Sequence, residues 1–398
     1  MTKFVELHLI QNFAPSCLNR DDTGSPKDCQ FGGVRRARIS SQCFKRAIRE
    51  YFKGNHRWAA GLGTRTKRLA EKTAEILMSQ KDRTREDAIK VAQNLLQLIF
   101  AKNMMDKAKP EMTQYLLFFS AKEMESFVEI AGNFWNELVK IEPSKEENEG
   151  TESTESAETP AKKGKKKGTK LVISEELEKA VKNLLNQPPS IDVALFGRMI
   201  ADKPDSNVDG ACQVAHALST HATPQEVDFF TALDDLKPEE TSGSDMMGVV
   251  EFNSACFYRY LTLDWSALQK KLGDENSSKK AVEAFLEAAV LAVPTGKQNT
   301  FAAHNPPSFA LAIVHEGQRF SLANAFEKPV WSKNGIIEKS VQQMSDYLQR
   351  IEKEYGKFLF GEAAFKVFMG IPAEENHPHF GSRKENLEQW IQSVVESL

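Results

Sequence analysis

Residues 4–11 alternate in hydropathy, with Val5, Leu7 and Leu9 on one side, and predict a β-strand. Residues 35–39 predict a second. Ser40 or Ser41 can then N-cap a helix whose apolar stripe is Phe44, Ala47, Ile48, Tyr51 and Phe52, with Lys45, Arg46, Arg49 and Lys53 largely off that stripe. From about residue 65 to 187 the spacing turns helical: 67–79, 83–102, 121–141 and 174–187 each read as amphipathic helices, with little strand signal between them. Strand character returns at 191–196 and 249–260, and a helix is expected around 210–219. The last third reads as a helix near 279–292, a strand near 308–315, and helices near 336–353 and 384–397. Strands and helices alternating around a helical insertion predict an α+β fold, and no internal repeat is visible.

One stretch departs from these patterns. Residues 142–160 are rich in Glu, Ser and Thr, and 162–170 hold six lysines and two glycines. Such a composition buries too little apolar surface to offset its ordering entropy, so 142–170 is expected to be a solvated linker.

The bulk composition narrows the class further. The chain has 398 residues, 41% hydrophobic, and a net charge of -3, which suits a packed protein of two domains or of one domain with a large insertion. Its five cysteines are Cys17, Cys29, Cys43, Cys212 and Cys256. They are odd in number and include no C-x-x-C pair, so reduced thiols in a cytoplasmic protein are expected. The start, Met-Thr-Lys-Phe-Val-Glu-Leu-His, does not read as a signal peptide, and no apolar run approaches the ~20 residues of a membrane span.

Charge changes the picture locally. Within 31–49 there are six cations (Arg35, Arg36, Arg38, Lys45, Arg46, Arg49) and no acid, in a chain that is acidic overall. A Gly32-Gly33 turn, an Arg-rich extended run and a Ser-capped helix carrying more cations form a surface suited to a phosphate chain.

Catalytic readings are weaker. Asp21-Asp22 and Asp234-Asp235 are adjacent carboxylate pairs of the kind a metal-dependent nuclease uses, but neither has a partnering His or Glu nearby. His216 and His221 lack the i, i+4 spacing of a helical zinc pair and read as packed or hydrogen-bonded. No P-loop, G-x-G-x-x-G or nucleophile elbow occurs. Phe229 and Phe230 sit in a polar stretch, 221–248, and two readings stay open: anchors of a loop to the core, or a stacking element against bases.

Several longer motifs bear a resemblance to one family. Ser16-Cys17-Leu18-Asn19-Arg20-Asp21-Asp22, Phe31-Gly32-Gly33, Arg38-Ile39-Ser40-Ser41-Gln42 and Lys45-Arg46-Ala47 resemble the CasC family, the crRNA-binding backbone subunit of the type I-E CRISPR Cascade complex. The likeness continues in order through Gly197-Arg198-Met199, Val208-Asp209-Gly210-Ala211, Ala215-His216-Ala217 and Phe230-Thr231-Ala232. It then runs through Phe257-Tyr258-Arg259-Tyr260, Lys297-Gln298, Asn305-Pro306 and Ala323-Asn324-Ala325-Phe326, and weakens beyond 330.

The resemblance implies an RRM-like (ferredoxin-like) palm at 1–54 and 189–398, a helical fingers insertion at 55–188 containing the 142–170 linker, and a β-hairpin thumb at about 222–256. It implies crRNA backbone contacts at Arg20, Ser40, Gln42, Lys45, Arg46 and Arg49. The thumb and kink site falls on Met199, Phe229, Phe230, Thr231 and Met247. The implied function is a non-catalytic scaffold that assembles as a helical filament, kinks the guide at regular intervals and supports recognition of target DNA through the guide. Its implied partners are crRNA, the target DNA strand, other copies of itself (six is typical) and the large, small, crRNA endonuclease and tail subunits of the complex. No cofactor, metal or membrane is expected. The alternative is a metal-dependent ribonuclease of the type III backbone kind, with Asp21 or Asp22 as its carboxylate.

Overall fold

The computed structural model describes residues 2–59, 61–79, 83–100, 104–106, 108–109, 111–141, 173–200, 203–232, 246–372 and 376–398. The expected linker at 142–170 and the Asp234-Asp235 pair lie outside the described residues. The chain forms two compact units: Met1–Leu62 with Pro189–Arg198 and Val208–Leu398, and Gly63–Pro188 with Met199–Asn207.

The first unit is built on an 11-stranded sheet. Its strands are β1 (Phe4–Ser16), β2 (Asp28–Phe31), β3 (Val34–Ile39), β4 (Cys212–Val214), β5 (Ala217–Ser219), β6 (Glu226–Ala232), β7 (Met246–Asp264), β8 (Phe309–His315), β9 (Ala364–Gly370), β10 (Asn376–His377) and β11 (Gly381–Lys384). The order is β10-β11-β9-β8-β1-β7-β5-β3-β2, with β4 and β6 also paired to β7. Every ladder is antiparallel except β9 with β11.

The unit's helices of six residues or more are α1 (Ser41–Gly54), α2 (Ile191–Phe196), α3 (Trp265–Leu272), α4 (Glu275–Leu291), α5 (Ile337–Tyr355) and α6 (Leu387–Glu396), with single turns at His56–Ala59, Gln298–Phe301 and Lys357–Phe360. Phe44, Ile48 and Phe52 of α1 and Phe285 of α4 pack with Val5, Leu7, Leu9 and Phe13 of β1 in one core. Met344 and Leu348 of α5 pack with Ile10, Tyr258 and Leu311 in a second. The central strand β1 is therefore buried on both faces. Its even positions, which read as solvent-facing in the sequence, include Glu6 and His8, both fully buried.

Three assignments change. Residues 191–196 form helix α2, not a strand. Short apolar runs do not separate the two states by pattern, and Asp192 here accepts from the Ser190 hydroxyl at 2.8 Å at the helix start. Around 210–219 the chain forms β4 and β5 in place of a helix. A Cβ at Gly210 would lie 2.8 Å from the Leu195 carbonyl oxygen, so the backbone passes too close there for a side chain. Helix α3 was not anticipated, although Asp264 caps it by accepting from Ala267 N at 2.8 Å and Gly273 ends it with φ +73°. Strands β9, β10 and β11 were also missed.

The second unit is largely helical, with Leu69–Leu77, Arg85–Phe100, Ala121–Asn133, Trp135–Leu138 and Glu175–Leu184. Leu95, Phe119, Phe127, Leu138 and Leu177 share its core. Ser120 and Glu123 form a capping box at Ala121–Asn133. A small ladder of Thr64–Thr66 with Leu117–Phe119 adds strand structure that the helical spacing did not reveal. Among the described residues no helix is long and apolar enough to cross a membrane.

Candidate nucleic-acid interface

The expected phosphate surface begins where β1 ends. The turn after it is held by Asp21, whose Oδ1 accepts from Thr23 N (3.0 Å), Thr23 Oγ1 (2.8 Å) and Ser25 N (3.0 Å). The Thr23 hydroxyl and these backbone N–H groups hold the Asp21 carboxyl below its ordinary pKa. Asn19 Oδ1 accepts from Ser40 N at 2.8 Å, and Ser40 Oγ accepts from Cys43 N at 3.3 Å. Ser40 is thus the N-cap of α1, and its hydroxyl serves the helix directly. The first turn of α1 carries no acid.

The six cations of 31–49 separate into distinct roles. Arg36 is fully buried, and its guanidinium donates to the carbonyls of Phe31 (3.2 Å), Ser219 (3.1 Å), Phe326 (2.7 Å) and Glu327 (3.2 Å). It is a core strut. Arg35 pairs with Asp28 and also donates to Gln225. Arg38 bonds the Asp28 carbonyl at 3.1 Å and lies 3.0 Å from His216 Nδ1. Arg49 makes a salt bridge with the buried Asp192 at 3.2 Å. Lys45 and Arg46 make no salt bridge with the described residues, and neither does Arg20; Gln42 is exposed on α1. Density of charge in the sequence therefore overstated the surface, because four of the arginines, Arg35, Arg36, Arg38 and Arg49, turn inward or bond locally.

A cleft of about 710 Å³ takes in Arg20 and Arg46 but not Lys45, Ser40 or Gln42. Arg20, Arg46 and Lys297 line it, together with Asp21, Asp22 and Glu50. Burial pushes the Cys17 thiol's pKa up, against the pull of Arg20 and Lys297. Burial does the same at Cys43, against Arg46 and Lys27. Three cations, Arg20, Arg46 and Lys297, thus share the cleft with three carboxylates, and Lys27 lies near Cys43 outside its lining. Lys297 was not among the expected contacts, although the Lys297-Gln298 motif lay within the resemblance. It sits at φ +50°, and neighbouring Gly296 approaches the Leu18 carbonyl so closely that a Cβ would lie 2.3 Å from the oxygen.

The second expected cluster lies on the β6–β7 hairpin. Register sets Phe229 opposite Val249, Phe230 opposite Gly248 and Thr231 opposite Met247. Val227, Phe229, Thr231, Met247 and Val249 accordingly share one face, and Phe230 points to the other. The two phenylalanines do not act as one unit. The Phe230 ring lies across Gly248, where a Cβ would come within 2.3 Å of Cζ, and is 39% exposed against 60% for Phe229. The hairpin base is tied by Phe252, whose ring sits 5.7 Å from that of Phe301. Met199 belongs to the second unit and is 82% exposed.

The histidines are hydrogen-bonded groups. His221 Nδ1 lies 2.9 Å from the Ala222 carbonyl, and its Nε2 accepts from Cys256 N at 3.2 Å, which fixes the neutral tautomer. Among the described residues no group of three or more His, Cys, Asp or Glu side chains is placed to hold a metal ion.

Solved structures with this fold include a chain described as "CRISPR RNA-guided surveillance complex, pre-nicking". It is 27% identical, covers 99% of both chains and has a TM-score of 0.84. Another, "CRISPR RNA-guided surveillance complex", is 22% identical and covers 99% of this chain and 100% of its own; its TM-score of 0.72 shows a shared fold. No curated protein sequence shows significant similarity. The family described as "CT1975-like protein" matches residues 5–393, nearly the whole length, and this chain belongs to that family.

Proposed function

We propose that this chain is a non-catalytic backbone subunit of a type I-E Cascade, binding crRNA along its phosphates and assembling side by side with further copies on one guide. The full-length likeness to a chain of a CRISPR RNA-guided surveillance complex carries this reading. The cleft cations Arg20, Arg46 and Lys297 support it, because a sequence-independent grip needs cations that are not already paired. In this reading the sheet-bearing unit is the palm, the second unit the fingers, and the β6–β7 hairpin the thumb that kinks the guide.

Topology supports an RRM-like palm. The order β1, α1, β4/β5, β7, α4, β8 is a β-α-β-β-α-β unit, and its strands lie as fourth, first, third and second across the sheet. Exposed aromatics of the usual RNA-binding sheet are replaced here by helices on both faces, so the backbone is held from the α1 side. The guide pairs with the target DNA strand, and the remaining Cascade subunits complete the complex.

Native mass measurement of the chain with a guide-length single-stranded RNA tests the reading. Species carrying successive whole copies per RNA are expected. A single copy per RNA, or no complex, overturns it. With magnesium and complementary RNA present, no periodic cleavage is expected; cleavage abolished by Asp22→Ala would establish the ribonuclease instead.

A further inference from the structure

The motifs around Arg259 and Asn305 have no part in the cleft, yet they are joined to it. Arg259 is fully buried at the centre of β7, and no carboxylate pairs with it among the described residues. Its Nη1 donates to Gln11 Oε1 at 2.6 Å and its Nη2 to the Ala289 carbonyl at 2.8 Å, while its carbon stands 4.0 Å from the Phe44 ring centre. Burial lowers its pKa to about 9, which still leaves it charged at neutral pH.

Each partner explains how the charge is tolerated. Ala289 lies in the last turn of α4, where the carbonyls lack helical partners and the helix dipole is negative. Phe44 offers its π face from α1.

Gln11 then passes the contact on: its Nε2 donates to the Asn305 carbonyl at 2.6 Å, and Asn305 Oδ1 accepts from Ala14 N at 3.3 Å. Residues 292–308 connect α4 to β8; Arg259 holds the last turn of α4 at Ala289, just ahead of the connection, and Gln11 holds Asn305 within it. Between them hang the two non-glycine residues with positive φ among the described residues, Lys297 (+50°) and Ala302 (+48°). Residues in that region persist only where their surroundings over-determine them.

We infer that Arg259 is a positioning residue: with Gln11 it ties the last turn of α4 to Asn305 across the 292–308 connection and so holds Lys297 at the cleft. The link to RNA affinity rests on the proposed function; the clamp itself does not.

The test separates the two on the full-length chain. By amide hydrogen exchange without RNA, Arg259→Met is expected to speed exchange at Thr300, Phe301, Ala302 and His304 at least tenfold, with Val5–Leu9 amides unchanged. Gln11→Glu keeps an acceptor for Arg259 but cannot donate to Asn305, so it should loosen the Asn305 end alone and serves if Arg259→Met fails to fold. Unchanged exchange in a folded variant overturns the clamp.

With single-stranded RNA, Lys297→Ala should reduce the slope of log affinity against log salt by about 0.7, one phosphate contact. Arg259→Met should cost the same, and the double variant no more than either. Additive losses overturn the link to Lys297. If the wild-type chain shows no salt-dependent RNA binding, the proposed function fails while exchange still judges the clamp.

Discussion

At the scale of single residues, the cations differ in what their loss should do. Arg46→Ala removes a cleft charge without a protein partner, so affinity for single-stranded RNA should fall and its salt slope should drop by about 0.7, with melting temperature unchanged. Arg49→Ala removes the ion pair of the buried Asp192, and stability should fall by about 3 kcal/mol, read by chemical denaturation. Equal stability losses in the two variants would contradict this division.

The buried polar face of β1 makes a separate prediction. His8 Nδ1 lies 2.8 Å from the Tyr258 hydroxyl, and burial, with His315 nearby, lowers its pKa to about 3. A histidine with a depressed folded pKa favours the folded state while neutral. As pH falls below about 6.5 the unfolded chain takes a proton that the folded chain refuses, so stability declines from there towards pH 3, by up to ~1.4 kcal/mol per unit. His8→Gln should remove about one proton's worth of that slope between pH 6 and 4. Identical slopes in the two proteins would refute it.

At the scale of elements, helix α1 was legible from its stripe because Phe44, Ala47, Ile48 and Phe52 bury where the 3.6 period places them. Strand β1 was legible on one side only. Glu6 and His8 look like solvent positions to any pattern rule, and only the covering by α5 and the 320–326 segment shows otherwise. The roles of Arg36 and Arg49 were illegible because their partners, Phe326 and Asp192, are remote in the chain. The hairpin illustrates the same limit: adjacency of Phe229 and Phe230 suggested a pair, and register separates them. Double-variant cycles on guide-RNA assembly should show Phe229→Ala coupled to Met247→Ala by about 0.5–1 kcal/mol, with Phe230→Ala coupled to neither. Equal coupling of Phe230 to Met247 would reject the two-faced arrangement.

At the scale of the whole molecule, motif order carried more than any single motif. The CasC-like blocks fall on the turn after β1, the start of α1, the β6–β7 hairpin, the centre of β7 and the α4–β8 connection. All of these belong to the sheet-bearing unit. The helical unit showed its periodicity but, apart from Met199 at the end of the Gly197-Arg198-Met199 block, no comparable motif, and its small ladder left little to read because three-residue strands show little alternation. A full-length prediction follows for the assembly: raising salt from 50 to 200 mM should weaken RNA binding steeply and alike for unrelated sequences, since contacts to phosphates carry no base information. A marked preference for one sequence at constant salt would argue for base readout and against a scaffold.

The hairpin's alternation gives it something like a reading frame. Removing one residue from β6 ahead of Phe229, while the pairing with β7 is kept, would exchange the sides that Phe229 and Phe230 present; removing two would restore them. Changes in this arm should therefore be tolerated in steps of two, so that its length is constrained by parity and not by reach.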